Sequence, residues 1–147
     1  MTGEDLTEVA ELDRENVSGW AILHFEQQLT APHSFHYTIR HEPDQTLYGF
    51  ICGHCVAGEA EIHKIAVAHN HRRKNIGSTL LHHALRFSIK QQATSCFLEL
   101  RASNTPARKL YRAFHFQTVG LRKKYYAHPS EDAIMMKLSP IPPDQKI

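Results

Sequence analysis

The hydrophobic period of the sequence changes between residues 59 and 90, and this change limits the folds that the chain can adopt. Glu59 to Val67, after Gly58, has the pattern of a strand. Beyond a basic loop, apolar residues recur at helical spacing: Ile76, Leu80, Leu81, Ala84, Leu85 and Ile89. A strand that leads through a loop into a strongly amphipathic helix is typical of a sheet with helices packed on it.

The rest of the chain reads as short helices and strands. Two helices are predicted near the N-terminus, one beginning at Glu4 and one over residues 20–28, and a third over residues 106–114. The further strands are predicted over residues 35–39, 47–52, 96–101, 116–126 and 132–138. This order predicts the fold class α/β (α+β), with a mixed central sheet and helices on both faces.

Chain length indicates a single domain. At 147 residues and 41% hydrophobic content, the chain is long enough for one core and too short for two ordinary domains. We assign residues 1–138 to this domain. Residues 139–147 contain the run Ser139-Pro140-Ile141-Pro142-Pro143, which cannot continue a sheet, and are predicted to form a flexible Pro-rich tail.

Charge and composition exclude several classes of function. A formal net charge of +2 argues against a general nucleic-acid-binding surface. No segment has the length of an apolar membrane span, and the acidic N-terminus does not resemble a signal peptide, so we expect a cytoplasmic protein. The three cysteines cannot all pair, and the twelve histidines lack the spacing of a zinc site, so we expect no metal.

The basic loop before the long helix is a candidate phosphate site. Arg72, Arg73 and Lys74 lie between the strand that ends at Val67 and the helix that begins near Ile76. Unpaired amides at a helix start bind phosphate, and a glycine there lets the backbone approach a ligand closely. On this segment alone, a pyrophosphate site and an ordinary solvated basic turn carry equal weight.

Glu99 and Tyr111 are candidates for proton transfer. Glu99 lies on a predicted strand and Tyr111 on the helix that follows it, so both could face one crevice. A carboxylate can accept a proton, and a phenol can donate one to a departing thiolate. Each residue alone is more often structural, as a sheet-edge carboxylate or a core aromatic, and their spacing relative to the basic loop favours a site.

These segments resemble the GNAT superfamily of acetyltransferases. The loop Arg72-Arg73-Lys74-Asn75-Ile76-Gly77-Ser78 is similar to the family's acetyl-CoA pyrophosphate loop. The positions that look like the C-terminal half of RimI-type N-terminal acetyltransferases are Leu98 to Asn104, Ala107, Leu110, Tyr111, Phe116, Arg122, Tyr125, Tyr126 and Glu131 to Ala133. Weaker similarity reaches back to Trp20, so the resemblance covers most of the chain.

The resemblance implies a GNAT-like fold, acetyl-CoA as cosubstrate and direct transfer in a ternary complex. Glu99 corresponds to the proton acceptor, Tyr111 to the proton donor to coenzyme A, and Asn104 to a side chain that contacts the coenzyme. The other implied cofactor-binding residues are Ile65, Ala66, Val67, Arg73, Lys74, Asn75, Ile76, Gly77 and Ser78. Tyr125 and Tyr126 correspond to a pocket for a peptide N-terminus. For RimI-type enzymes the implied acceptor is an N-terminal alanine of a small-subunit ribosomal protein.

The sequence departs from the family pattern in three places. Asn75 stands where the family has its first loop glycine, and His115 replaces a glycine before Phe116. If these positions need positive φ, asparagine tolerates it better than most residues, whereas histidine adds strain of about 1 kcal/mol or more. A helix also begins only a few residues after Met1, where the family has a first strand, so either that strand is absent or the chain start is not the natural one.

Other functions compete with this interpretation. Within the enzyme class, a lysine or a small amine could replace the α-amine as acceptor, and a non-catalytic acetyl-CoA-binding module is a further alternative. From a different class, Cys52-Gly53-His54-Cys55 resembles the active site of protein disulfide isomerases. Thiolate activation in those enzymes needs a helix after the first cysteine, and here a strand is predicted instead.

Overall fold

The computed structural model describes residues 1–15, 20–72, 74–127 and 129–143. The helices are α1 (Leu6–Glu15), α2 (Ile22–Thr30), α3 (Ile76–Lys90) and α4 (Thr105–Ala113). The strands are β1 (Ser34–Arg40), β2 (Leu47–Val56), β3 (Glu59–Val67), β4 (Ser95–Arg101), β5 (Gln117–Tyr126) and β6 (Glu131–Leu138). Every predicted helix and strand is confirmed, and the bounds differ from the predicted ones by a few residues.

The six strands form one mixed sheet in the order β1-β2-β3-β4-β6-β5. β3 and β4 run parallel, whereas the other neighbours are antiparallel. Gly3–Asp5 form a 3-10 turn that runs directly into α1, so within residues 1–15 no strand precedes α1. β1 is therefore the first strand of the described chain, and it lies at one edge of the sheet.

Helices cover both faces of the sheet, as the sequence predicts. On the α3 face, defined as the face covered by α3 and α4, the apolar stripe of α3 packs on alternate residues of the strands. On the α1 face, covered by α1 and α2, Val9 and Phe25 pack against Phe50, Cys52 and Ala66. The two hydrophobic clusters therefore lie on opposite sides of one sheet.

A two-residue turn fixes the register of β2 and β3. Ala57 has φ 52° and Gly58 has φ 80°, a backbone that matches the twist of an antiparallel hairpin and that favours glycine at its second position. Val56 therefore pairs with Glu59, and the pairs continue up both strands. The register shifts once, where Gly53 pairs with Ile62 but Cys52 pairs with Lys64. This bulge inserts an extra residue, His63, into β3.

Packing continues beyond the last strand. Ile141 is only 7% exposed and belongs to the cluster on the α3 face. Its backbone N–H donates to the carbonyl of Thr94 at 2.9 Å. The core therefore extends past Leu138, into the segment that the sequence assigns to a flexible tail.

None of the helices in the described residues combines the length and the apolar character needed to cross a bilayer.

Candidate active site

The parallel strands β3 and β4 are paired along only part of their length. Their register runs from Glu59 opposite Ser95 to Ile62 opposite Leu98, although β3 continues to Val67 and β4 to Arg101. The strands therefore separate beyond Ile62, just where the bulge at His63 bends β3. We refer to the space between residues 63–67 of β3 and residues 99–101 of β4 as the gap.

One wall of the gap is the C-terminal half of β3. Ile65 and Val67 pack toward the α3 face, whereas Ala66 is buried in the cluster on the α1 face. The backbone of this segment pairs with β2 on its other side, with Ile65 opposite Ile51 and Val67 opposite Gly49. The side chains are thus occupied by packing, and the Val67 carbonyl accepts a hydrogen bond from Nε of Arg72 at 3.4 Å, so the backbone contact with a cofactor that the resemblance implies for these three residues stays a prediction.

The basic loop leads from the end of β3 to the start of α3. Lys74 and Asn75 are exposed, whereas the predicted cofactor residue Arg73 lies outside the described residues. Asn75 occupies the N-cap with φ 60° and ψ 18°, and its side chain makes no capping hydrogen bond. Asn75 therefore adopts the positive φ that was considered for the first loop glycine of the family, and asparagine is among the residues that adopt it at low cost.

The first turn of α3 holds the remaining loop residues, Ile76, Gly77 and Ser78. The first amides of an α-helix have no intrahelical acceptor and carry the positive end of the helix dipole. A Cβ at Gly77 would lie 3.2 Å from the Leu110 side chain of α4, so glycine allows α3 and α4 to approach closely here. The helix start and Lys74 together make this end of the gap suited to an anionic ligand.

Glu99 faces the α1 side of the sheet beside the gap. Its neighbours Leu98 and Leu100 are buried in the cluster on the α3 face, so alternation along β4 turns Glu99 the other way. The Glu99 side chain is 15% exposed, and its Oε1 lies 3.4 Å from Nε of Arg122. The carboxylate also accepts a hydrogen bond from the Tyr125 hydroxyl.

Two tyrosines and a second carboxylate surround Glu99. The negative charge of Glu99, with burial and their hydrogen bond, raises the pKa of Tyr125. Burial, with the charge of Glu99 added, raises the pKa of Tyr126 to about 12. Burial also raises the pKa of Glu61, and the charge of Glu99 contributes in the same direction. Tyrosine at these positions stays protonated at neutral pH and can donate hydrogen bonds.

The loop that follows Tyr126 is tied to β4. Arg101 packs its guanidinium over the ring of Tyr126, 4.5 Å from the ring centroid. Its terminal nitrogens donate to the carbonyls of Pro129 at 3.0 Å and Ala127 at 3.3 Å. Glu131 pairs with Arg101 at 3.5 Å and accepts a hydrogen bond from the backbone N–H of Ser103. These contacts give the predicted peptide pocket a fixed wall.

Tyr111 lies on the α3 face, opposite Glu99. It is 4% exposed, packs in the same cluster as Leu98, and burial raises the pKa of its phenol. The two predicted catalytic residues therefore do not share one side of the sheet. They lie on its two faces, on elements that border the gap.

The end of α4 holds Tyr111 in place through a Schellman motif. The N–H of Phe116 donates to the Tyr111 carbonyl at 3.0 Å, and the N–H of His115 donates to the Arg112 carbonyl at 2.9 Å. The rings of Tyr111 and Phe116 pack with their centroids 5.6 Å apart. His115 has φ 70°, so it stands at a position that needs positive φ and favours glycine.

Replacing His115 with glycine is expected to raise the free energy of unfolding by about 0.5–1 kcal/mol, because glycine adopts positive φ without a clash at Cβ. Chemical denaturation measures the change. His115→Ala is the matched control, since it removes the exposed imidazole and keeps the Cβ. An equal gain in both variants would assign the effect to the imidazole and would contradict the role of backbone strain.

Asn104 caps the start of α4. Its Oδ1 accepts a hydrogen bond from the backbone N–H of Ala107 at 3.2 Å, and Pro106 follows in the first helical turn. The residue is exposed at the surface of the protein. The structure thus gives Asn104 a local role in α4, and its contact with the coenzyme stays a prediction.

The structure contradicts the thiol–disulfide alternative. Cys52 belongs to the cluster on the α1 face and Cys55 to the cluster on the α3 face, so the two sulfurs point to opposite sides of the sheet. Burial raises the pKa of Cys52 to about 12 and also raises that of Cys55. Buried thiols with raised pKa are poor nucleophiles, and this pair cannot form a disulfide.

Sequence reasoning missed three residues beside Glu99 on the α1 face: His54, Glu61 and His63. Burial lowers the pKa of His63 to about 4, and the ring packs edge-on against Trp20 with centroids 6.1 Å apart. The available signal was the short turn at Gly58, because a two-residue turn places His54 opposite Glu61. The bulge that brings His63 next to His54 and Glu61 cannot be recognised from the sequence.

Comparison with known proteins identifies the family. The model of the acetyltransferase (GNAT) family matches residues 5–116. An N-alpha-acetyltransferase RimI from Mycobacterium tuberculosis is 33% identical over 144 residues, which cover 93% of this chain and 88% of the relative.

Solved structures agree in fold. The ribosomal-protein-S18-alanine N-acetyltransferase from Escherichia coli superposes with a TM-score of 0.84 at 24% identity, covering 100% of this chain and 95% of the other. Arabidopsis thaliana NAA60 in complex with acetyl-CoA has a TM-score of 0.82 at 17% identity, with 92% and 93% covered. The chain, with the mixed sheet and the gap described above, belongs to the acetyltransferase (GNAT) family.

Proposed function

We propose that this protein transfers the acetyl group of acetyl-CoA to the N-terminal α-amine of a protein, with the N-terminal alanine of ribosomal protein bS18 as its acceptor. A relative that is 33% identical is named N-alpha-acetyltransferase RimI. Several further relatives are named ribosomal protein bS18-alanine N-acetyltransferases, among them one from Escherichia coli that is 36% identical over 85 residues, or 56% of this chain. These names support both the reaction and the class of acceptor.

The observation that carries the proposal is the position of Glu99 beside the gap. The carboxylate lies where β3 and β4 separate, and Arg122 and Tyr125 hold it from the side of β5. An amine that approaches a thioester in the gap from the α1 face meets Glu99. Tyr111 lies on the opposite side of the thioester, on the α3 face. This arrangement allows a proton to leave the amine on one face and another to reach the leaving group from the opposite face.

The described residues fit acetyl-CoA. Its pantetheine arm would pair with the backbone of Ile65, Ala66 and Val67, and its pyrophosphate would lie at the start of α3 near Lys74. Bound acetyl-CoA supplies an activated acetyl group on a thiolate leaving group. A backbone N–H of β3 would donate a hydrogen bond to the carbonyl oxygen of the thioester.

Glu99 and Tyr111 divide the proton transfers. The pKa of an α-amine is about 8, so an appreciable fraction is neutral at physiological pH, whereas a lysine near 10.4 has very little. Glu99 takes the remaining proton as the nitrogen attacks. Tyr111 keeps its proton in the buried cluster, since burial raises its pKa, and gives it to the departing sulfur. Transfer is direct, without an acetylated residue.

The tyrosine pair favours a peptide N-terminus over a lysine or a small amine. Tyr125 is 51% exposed beside Glu99, and Arg101 and Glu131 hold the loop after Tyr126. A fixed aromatic wall suits the first residues of a peptide, whereas a free polyamine offers no side chains to contact it. We assign these residues to acceptor binding.

The test is a steady-state assay of coenzyme A release with three acceptors. They are a peptide with the N-terminal sequence of bS18, the same peptide with a blocked N-terminus and an internal lysine, and spermidine. Turnover is expected only with the free α-amine. This acceptor has an amine with a large neutral fraction at physiological pH, and it also has peptide residues that can contact the tyrosines. Turnover of lysine or spermidine alone would overturn the acceptor class, and acetyl-CoA binding without any turnover would favour a non-catalytic module.

A further inference from the structure

Three potential metal ligands lie together on the hairpin of β2 and β3. The turn at Ala57 and Gly58 places His54 directly opposite Glu61 in the antiparallel register. Residues two apart on a strand share a face, so His63 lies beside Glu61 on the α1 face. The bulge between Cys52 and Gly53 leaves His63 without a register partner and turns its ring toward His54.

The ligand atoms of this cluster lie close together, and the two imidazoles are hydrogen-bonded to each other. Nε2 of His63 lies 2.8 Å from Nδ1 of His54, and Nε2 of His54 lies 3.6 Å from Oε2 of Glu61. One ligand atom from each of the three residues lies within 4.8 Å of the other two. A tetrahedral ion with bonds of about 2.0–2.2 Å places its ligand atoms roughly 3.4 Å apart, so on binding the His54 ring exchanges its hydrogen bond with His63 for a bond to the ion and moves slightly away from His63.

The cluster is open to solvent on one side and rigid on the other. The side chains of His54 and Glu61 are 32% and 42% exposed, so a hydrated ion can reach them. The ring of His63 is half-buried and packs against Trp20, which fixes its orientation. A site that is both accessible and partly fixed loses little conformational freedom when an ion binds.

We propose that His54, Glu61 and His63 form a binding site for a divalent transition-metal ion, with Zn²⁺ as the best match. Two imidazoles and one carboxylate are a common ligand set for zinc, and three protein ligands leave the fourth position to water. The sequence analysis predicts no metal site. The three ligands come together only through the pairing of β2 with β3, and their spacing in the sequence does not match a zinc motif. The proposal does not depend on acetyl transfer, and its test uses neither acetyl-CoA nor peptide.

The test is calorimetric titration of the tag-free protein with Zn²⁺, together with Co²⁺ as a probe of coordination by visible absorption. One equivalent is expected to bind to the unmodified protein. His54→Gln and Glu61→Gln each remove one ligand with little change of volume and are expected to weaken binding at least about tenfold. Zn²⁺ should also raise the melting temperature of the unmodified protein more than that of either variant.

His69→Gln is the matched control for adventitious binding. His69 is exposed in the 3-10 turn His69–His71, outside the hairpin of β2 and β3, so a metal ion in solution can reach it. Its replacement is expected to leave the affinity unchanged. Absence of binding to the unmodified protein, or equal affinity in all variants, would overturn the proposal. Circular dichroism checks that each variant is folded, and Glu61→Gln tests the site if His54→Gln does not fold.

Discussion

Replacing Glu99 with glutamine is expected to lower kcat for acetylation of an α-amine by about 10²- to 10⁴-fold at neutral pH, because an amide cannot accept the amine proton. Glutamine retains the shape of the side chain and its hydrogen bond from Tyr125. The KM for acetyl-CoA should therefore change little. Steady-state release of coenzyme A, measured with an excess of peptide, gives both constants.

The pH dependence separates proton transfer from simple misplacement of the acceptor. At a pH above about 9, hydroxide competes as the acceptor of the proton that the attacking nitrogen loses, so the defect of the Glu99→Gln variant is expected to shrink there. Glu59→Gln is the matched control, since Glu59 is a carboxylate on the neighbouring strand with a side chain that is 52% exposed. Unchanged activity of Glu99→Gln at neutral pH would contradict the role of Glu99.

Replacing Tyr111 with phenylalanine is expected to lower kcat about 10²-fold. The change removes the hydroxyl that protonates the leaving sulfur and leaves the other catalytic groups in place. The phenyl ring keeps its place against Phe116 and in the buried cluster. Binding of acetyl-CoA and the free energy of unfolding should therefore stay close to those of the unmodified protein. Calorimetry and denaturation measure these two quantities, and single-turnover kinetics measures the chemical step.

Tyr37→Phe is the control for loss of a hydroxyl elsewhere in the core. Tyr37 lies on β1, at the edge of the sheet, and packs against His83 of α3 with ring centroids 5.9 Å apart. Its hydroxyl is far in the sheet order from β4 and is expected to have no effect on kcat. A similar loss of activity in both variants would indicate a general effect on packing and would contradict proton donation by Tyr111.

The parts of the fold that depend on local pattern could be predicted from the sequence. Helical spacing from Ile76 predicts α3, and the capping residue Asn104 followed by proline marks the start of α4. The family's glycines at the positions of Asn75 and His115 point to a backbone that can need positive φ, which both residues adopt. In each case the information lies within a few neighbouring residues, where sterics and capping decide the conformation.

The parts that depend on pairing between distant strands could not be predicted in the same way. The sequence places Glu99 and Tyr111 where both could face one crevice, but it does not reveal that β4 turns Glu99 to the α1 face while α4 packs Tyr111 on the other face. The side of a sheet on which a residue lies depends on register and burial, and a single bulge reverses it. For the same reason the contact of His63 with His54 depends on an irregularity in β3 that the sequence does not mark.

The short register between β3 and β4 also affects how stability is distributed in the molecule. The sheet consists of two antiparallel units, β1 to β3 and β4 to β6. Only four residue pairs join them, from Glu59 with Ser95 to Ile62 with Leu98. Few backbone hydrogen bonds therefore join the two units, and the hydrophobic cluster on the α3 face, which includes Ile62 and Leu98, supplies the rest of the contact between them. A ligand that bridges the two units therefore increases the cooperativity of the whole domain when it binds.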